Sequence, residues 1–183
     1  MINSEFRASL QGCLHLLRAD PAALNFFNLT IDGFWRSFYC VLIAFPFELT
    51  LTLTQTDRLI EAPSTLGFVA KEFFGYSIGW VLFPIIALAT TRFFNLESRY
   101  VIYVITANYV RLVQIVVLSL MLTLLGLDVI ASVFGLMIIV ATLIYDWLAT
   151  KIALDTSASI ATGLVLINAL IVLLVQRTII ELL

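Results

Sequence analysis

Three polar side chains interrupt an apolar run at residues 100–125: Asn108, Arg111 and Gln114, spaced i, i+3 and i+6. On a helix that spacing gathers them into one stripe covering roughly a 120° face. With a rise of about 1.5 Å per residue, Arg111 lies about 16 Å past Tyr100, near the middle of a hydrocarbon layer about 30 Å thick. A guanidinium keeps its charge at every accessible pH, so at that depth it requires a counter-charge, a water-filled cavity or a route to the interface. Glu48, in an earlier apolar run, is the candidate partner. It lies about 21 Å past Phe34, about one helical turn from the depth of Arg111 if the two runs cross in the same direction. Pro46, two residues before it, kinks that helix and frees a backbone acceptor that neighbours must satisfy.

Glu48, Asn108, Arg111 and Gln114 allow two chemistries. As a buried ion pair with amide partners they fix helix order at little net gain in stability. As the lining of an aqueous cavity they provide a proton or substrate pathway. Glu48 protonated, or facing a partner subunit, is a third arrangement. Other polar residues read more plainly: Asp146 as an interfacial or capping residue at the end of a span, Lys71-Glu72 as a solvated boundary, His15 as an interfacial side chain, and Ser157-Ala158-Ser159 as a helix start. There is no Gly-x-Ser-x-Gly, no His-Glu-x-x-His and no phosphate loop, so a non-enzymatic protein without catalytic residues is expected. Two cysteines, Cys13 and Cys40, and one histidine are too few for a zinc or iron–sulfur site of the usual ligand count, and a bis-His haem needs a second histidine. No metal or cofactor is expected.

The elements that position these residues are set by composition. The chain has 183 residues, 62% apolar and 12% charged, with a mean hydropathy of +1.07. A soluble domain is about 45–50% apolar and about 25% charged, so several membrane spans are implied. The net charge of −2, with ten Lys and Arg spread thinly, offers no basic footprint and excludes nucleic acid as a partner. Residues 1–32 read as a cytoplasmic amphipathic or interfacial segment. Phe6, Leu10, Cys13, Leu14 and Leu17 recur at helical spacing, and the helix either lies in the membrane interface or packs against the bundle. No continuous apolar core of a secretory signal is visible, so the first span is read as an uncleaved anchor. Asp20-Pro21 reads as an N-cap followed by Pro at the first position of a short helix. The sequon Asn28-Leu29-Thr30 falls on the cytoplasmic side, where it carries no glycan.

Residues 33–183 read as an all-α membrane domain of five spans, at about 34–54, 73–91, 100–125, 129–147 and 157–175. Asp32-Gly33 is expected to break the chain before the first span. Gly75-xxx-Gly79 in the second is expected to pack closely on a neighbour, and Asp146-Trp147 to end the fourth at an interface. Arg7, Arg18, Arg36, Arg92, Arg99 and Lys151 fall on one side and Arg58, Lys71 and Arg177 on the other, so the positive-inside rule places the N-terminus in the cytoplasm and the C-terminus outside. No internal repeat or inverted symmetry supports paired transporter halves.

The amphipathic lead-in, Phe34-Trp35-Arg36-Ser37-Phe38 at the first span, five closely spaced spans, and Tyr145-Asp146-Trp147 before a small-residue fifth span resemble bacterial relatives of the Yip1 membrane family. The resemblance lies in topology and composition and implies a five-helix membrane protein; no site residue follows from it. The expected function is that of a multi-pass inner-membrane scaffold, accessory subunit or assembly and trafficking-type factor. Its partners would be membrane lipids and either another membrane protein or a second copy. The alternative is a small, oligomeric or proton-coupled transporter or channel using Glu48 and Arg111.

Overall fold

The computed structural model describes residues 2–55, 65–126 and 133–182, with side chains over residues 4–53, 66–126 and 133–174. Helices account for nearly all of it. They are α1 (Ile2–Leu17), a 3₁₀ turn (Pro21–Phe26), α2 (Ile31–Ser37), α3 (Tyr39–Gln55), α4 (Thr65–Phe93), a second 3₁₀ turn (Glu97–Arg99), α5 (Tyr100–Leu125), α6 (Val133–Leu154) and α7 (Ala158–Leu182). Four stretches are long and apolar enough to cross a membrane: Ile31–Leu53, Leu66–Phe93, Glu97–Leu125 and Val133–Leu154. In α7 the apolar stretch Ala158–Leu174 is shorter.

α5 is the axis of the bundle. Of its membrane-length window 44% is buried, against 22% for each of the other three, and it packs on α1, α2, α3, α4 and α6. α7 closes the far side against α4 and α6. Polarity is inverted relative to a water-soluble protein. Ser37, Thr91, Thr106 and Asn108 are buried, while Phe74, Ile78, Val81 and Ile85 line an exposed face of α4 at helical spacing. Leu136, Met137, Ile139 and Val140 do the same on α6. Such surfaces are stable against acyl chains, where an exposed apolar face carries no penalty.

Several local features differ from the sequence reading, beginning with α4, which starts at Thr65 rather than near residue 73 and so carries Lys71-Glu72 inside the helix. Asp32-Gly33 does not break the chain: the N-cap is Thr30, whose hydroxyl accepts from Gly33 N–H at 3.1 Å, and Gly33 lies inside α2. Glycine is required there because a Cβ would collide with the backbone carbonyl of Asn28. α6 continues past Asp146-Trp147 to Leu154, so Asp146 is an interior helical residue. Lys151 does not stop the helix, since its ammonium lies 5.1 Å from the Trp147 ring centre and leaves Ile152-Ala153-Leu154 free to pack. Gly79 is no close-packing point within the chain, because a Cβ there would meet nothing within 4 Å. Residues 56–64, in the expected loop of residues 55–72, and 127–132, at the expected start of the fourth span, lie outside the described residues.

α4, α1 and α6 each end in the same capping arrangement. Asn95, Ala19 and Asp155 adopt left-handed backbone (φ 57°, 55° and 49°), and each is followed by a residue whose N–H returns to a carbonyl five positions back. Arg99 and Asp155 then join the α4–α5 and α6–α7 turns through a 3.1 Å ion pair. Phe34 of α2 reaches the same end, with its ring 6.0 Å from that of Tyr100.

The N-terminal layer packs on this end of the bundle. α1 turns Ser9, Gly12, Cys13 and Leu16 inward and leaves Leu14 and Leu17 exposed, so the buried stripe is rotated from the one read in the sequence. Polar links among the described residues hold it. Tyr145 donates to the Cys13 carbonyl at 2.9 Å, Asn28 donates to Glu5 at 3.0 Å, and Arg36 pairs with Glu5 at 2.8 Å. Burial pushes the Cys13 thiol up to about 12. As expected from Asp20-Pro21, Asp20 caps the first 3₁₀ turn by accepting from Ala22 N–H at 2.9 Å. Its hydrogen bond with His15, and then that backbone bond, hold its carboxyl below the ordinary range.

Candidate functional site: a polar cluster in the helix core

The stripe on α5 works as a hub. Asn108 is 1% exposed and donates from Nδ2 to Ser37 Oγ of α2 at 2.9 Å. Ser37 in turn donates to the Phe34 carbonyl at 2.7 Å, so the Asn108 bond ties the end of α2 to the central helix. Gln114 turns the other way. Its Nε2 donates to Asp146 Oδ1 at 2.9 Å and to the Thr142 carbonyl at 3.2 Å, both on α6. Arg111, between them, lays its guanidinium against α4, 5.1 Å from the Trp80 ring centre and 5.3 Å from that of Phe83. Three residues on one helix thus hold three different neighbours. For a guanidinium removed from water, two aromatic faces supply attraction that needs no anion in contact.

All three hub residues border one cavity of about 50 Å³, together with Asp146, Thr150 and Asn168. That volume holds a small cluster of waters, and a lining of amides, hydroxyl, carboxylate and guanidinium gives each water several partners. Of the two carboxylates considered for Arg111, Asp146 borders this cavity with it and Glu48 does not.

The direct Glu48–Arg111 ion pair expected from matched depth does not form. The ion pairs among the described residues are Glu5–Arg36, Arg99–Asp155 and His15–Asp20, all near the end of the bundle that carries α1. Glu48 is half-buried on α3 and does not border the cavity. The reason is direction rather than depth, since the guanidinium follows the aromatic rings of α4 and the cavity opens towards α6.

Asp146 is the member of this cluster that sequence reasoning placed elsewhere. A signal was present in the apolar Ile152-Ala153-Leu154 beyond Lys151. With the helix ending at Leu154, Asp146 lies about 12 Å inside it, within about one turn of the depth of Arg111 from the same end. Trp80 and Phe83 carried no comparable signal, because aromatics at helical spacing in a span read equally as packing.

α3 and α4 are joined by a separate contact. The Tyr76 hydroxyl donates to the Val41 carbonyl at 3.1 Å, one residue before the carbonyl that Pro46 leaves without its helical donor. On α4, Pro84 lies inside the helix, and the Tyr100 hydroxyl donates to its carbonyl at 3.2 Å. Among the described residues no group of three His, Cys, Asp or Glu side chains is placed to hold a metal. The cluster can order helices, hold water and carry charge; it has no room for an organic solute.

No family model matches this sequence, and no curated protein or solved structure is detectably similar to it.

Proposed function

We propose that this chain is a non-enzymatic, five-helix inner-membrane protein that serves as a scaffold, accessory subunit or assembly factor, and that its polar core fixes helix order. The observation that carries the reading is the core itself. Asn108, Gln114 and Arg111 each engage a different helix, and the cavity they share is only about 50 Å³. Pockets that take small organic molecules run to about 300–1,000 Å³. The exposed apolar faces of α4, α6 and α7 leave lipid-embedded surface for a membrane-protein partner or a second copy.

α7 is the fifth crossing in this reading. Its 25 residues extend about 37 Å, enough for a hydrocarbon core about 30 Å thick. The clustering of Arg36, Arg99 and Lys151 with the N-terminal layer favours that end as cytoplasmic. The likeness to bacterial relatives of the Yip1 family belongs to the same proposal.

A second reading, a proton pathway, draws on the way Arg111 and Asp146 face one cavity without forming an ion pair. The test is a pair of measurements on the full chain. Extraction in polymer-bounded membrane discs should recover a membrane-protein partner in fixed ratio or a homo-oligomer. Proteoliposomes under a pH gradient should leak no faster than empty ones. Proton flux abolished by Asp146→Asn would refute the scaffold reading in favour of the pathway.

A further inference from the structure

A second cavity among the described residues has a different character. A groove of about 440 Å³ opens between α1, α2, α3 and α5, with Glu5 and Arg36 at its polar end and Phe6, Cys40, Ile43 and Tyr109 among its walls. Its volume falls within the range of about 300–1,000 Å³ typical of small-molecule sites. The acid and the base are already bonded at 2.8 Å, and both remain partly open, with side-chain exposures of 20% for Glu5 and 39% for Arg36.

The outer face of α2 and α3 fixes the groove's position relative to lipid. Trp35 and Tyr39 are exposed at the level of Arg36, and Leu42 and Ile43 are exposed one to two turns further along. Tyr39 and Ile43 belong to both the exposed face and the groove lining. Aromatic amphipathic rings followed by aliphatic side chains mark the passage from headgroup level to acyl-chain level. Arg36 lies five residues inside the apolar stretch Ile31–Leu53, about 8 Å from its start, so the polar end of the groove is within reach of headgroups for a long side chain and its apolar walls run deeper into the hydrocarbon.

We propose that this groove binds one zwitterionic phospholipid carrying a primary ammonium, of the phosphatidylethanolamine type. The lipid ammonium lies on the Glu5 carboxylate and its phosphate beside the Arg36 guanidinium. The four charges alternate in a closed ring, and an acyl chain runs over Phe6 and Ile43. An anionic lipid would bring its phosphate to Arg36 with no cation for Glu5. A choline headgroup would bring a cation that cannot donate a hydrogen bond to the carboxylate. The proposal does not depend on the scaffold reading, since a lipid wedged between α1 and the first span serves a scaffold or a pathway equally.

The experiment is native mass spectrometry of the full chain released from a mild detergent with equal amounts of phosphatidylethanolamine, phosphatidylglycerol and phosphatidylcholine. One phosphatidylethanolamine is expected to be retained about fivefold over either competitor, as charge-assisted hydrogen bonds at a partly exposed site allow. Ile43→Trp, which fills the groove from the lipid side and leaves the ion pair intact, should abolish that retention with helicity and elution volume unchanged. Glu5→Gln should remove the preference over phosphatidylglycerol. Equal retention of the three lipids, preference for phosphatidylglycerol or phosphatidylcholine, or retention unaffected by Ile43→Trp would overturn the proposal.

Discussion

The charge that most constrains this bundle is Arg111, and a double-mutant cycle with Asp146 measures how it is held. Arg111→Met keeps much of the side-chain volume while removing the guanidinium from Trp80 and Phe83 and from the cavity it shares with Asp146. Desolvated cation–π contacts contribute about 1–2 kcal/mol together. An opposite charge across the same small cavity, beyond ion-pair contact, attracts by about 2–3 kcal/mol at an effective dielectric constant of about 20. The single variant should therefore lose about 3–5 kcal/mol, part of it because Asp146 is left half-buried with Gln114 as its remaining side-chain donor. Asp146→Asn should lose about 2–3 kcal/mol, mostly the same attraction. The double variant should recover about 2 kcal/mol relative to the sum, whereas the cycle of Arg111→Met with Glu48→Gln should show less than about 1 kcal/mol. Thermal unfolding in detergent micelles, followed by calorimetry, resolves this, since 2–3 kcal/mol corresponds to about 4–12 °C for a chain of this size. Additivity of Arg111→Met and Asp146→Asn within about 0.5 kcal/mol, or a larger interaction with Glu48, would refute the assignment of Asp146 as the principal counter-charge.

Other perturbations probe the N-terminal layer. Gly33→Ala drives a methyl into the Asn28 carbonyl and should destabilise by about 2–3 kcal/mol, while Gly79→Ala, with open space around it, should leave the melting temperature unchanged. Tyr145→Phe removes the buried hydrogen bond to the Cys13 carbonyl, worth about 1 kcal/mol, and should raise the rate of maleimide labelling at Cys13 about fivefold in a Cys40→Ser background. In the parent that thiol, buried and pushed up to about 12, should label far more slowly than an exposed cysteine at pH 8. Asp20 has a lowered folded-state pKa, so its contribution is complete above the ordinary carboxylate value and is lost as pH falls through the lowered one. The stability difference between the parent and Asp20→Asn should accordingly be largest near neutrality and vanish in strong acid, read from melting temperatures across a pH series.

Much of the helical framework was legible in the amino-acid order. Apolar runs of membrane length, broken by polar turns, leave few alternatives to a helical bundle, because an unpaired backbone in lipid is too costly. The run at residues 100–125 coincides with α5, and the polar stripe at Asn108, Arg111 and Gln114 was visible from spacing alone. Helix ends were harder to read. Thr30 rather than Asp32-Gly33 starts the first spanning stretch, and Lys151 does not stop α6, because a cap is decided by one hydrogen bond and a lysine at a helix end can fold back on an aromatic ring.

What sequence alone determined is that a permanently charged side chain lies deep in an apolar helix and must be compensated. Which group compensates it was a tertiary matter. Depth along a helix follows from residue count, and on that measure Glu48 qualified. Direction around the helix depends on how α3, α4 and α6 are arranged about α5. That arrangement turned Arg111 onto Trp80 and Phe83 and towards Asp146, joined Gln114 to the same carboxylate, and gave Asn108 to Ser37. Periodicity fixes one helix's face, but the neighbour that meets that face is chosen by the packing of the whole bundle.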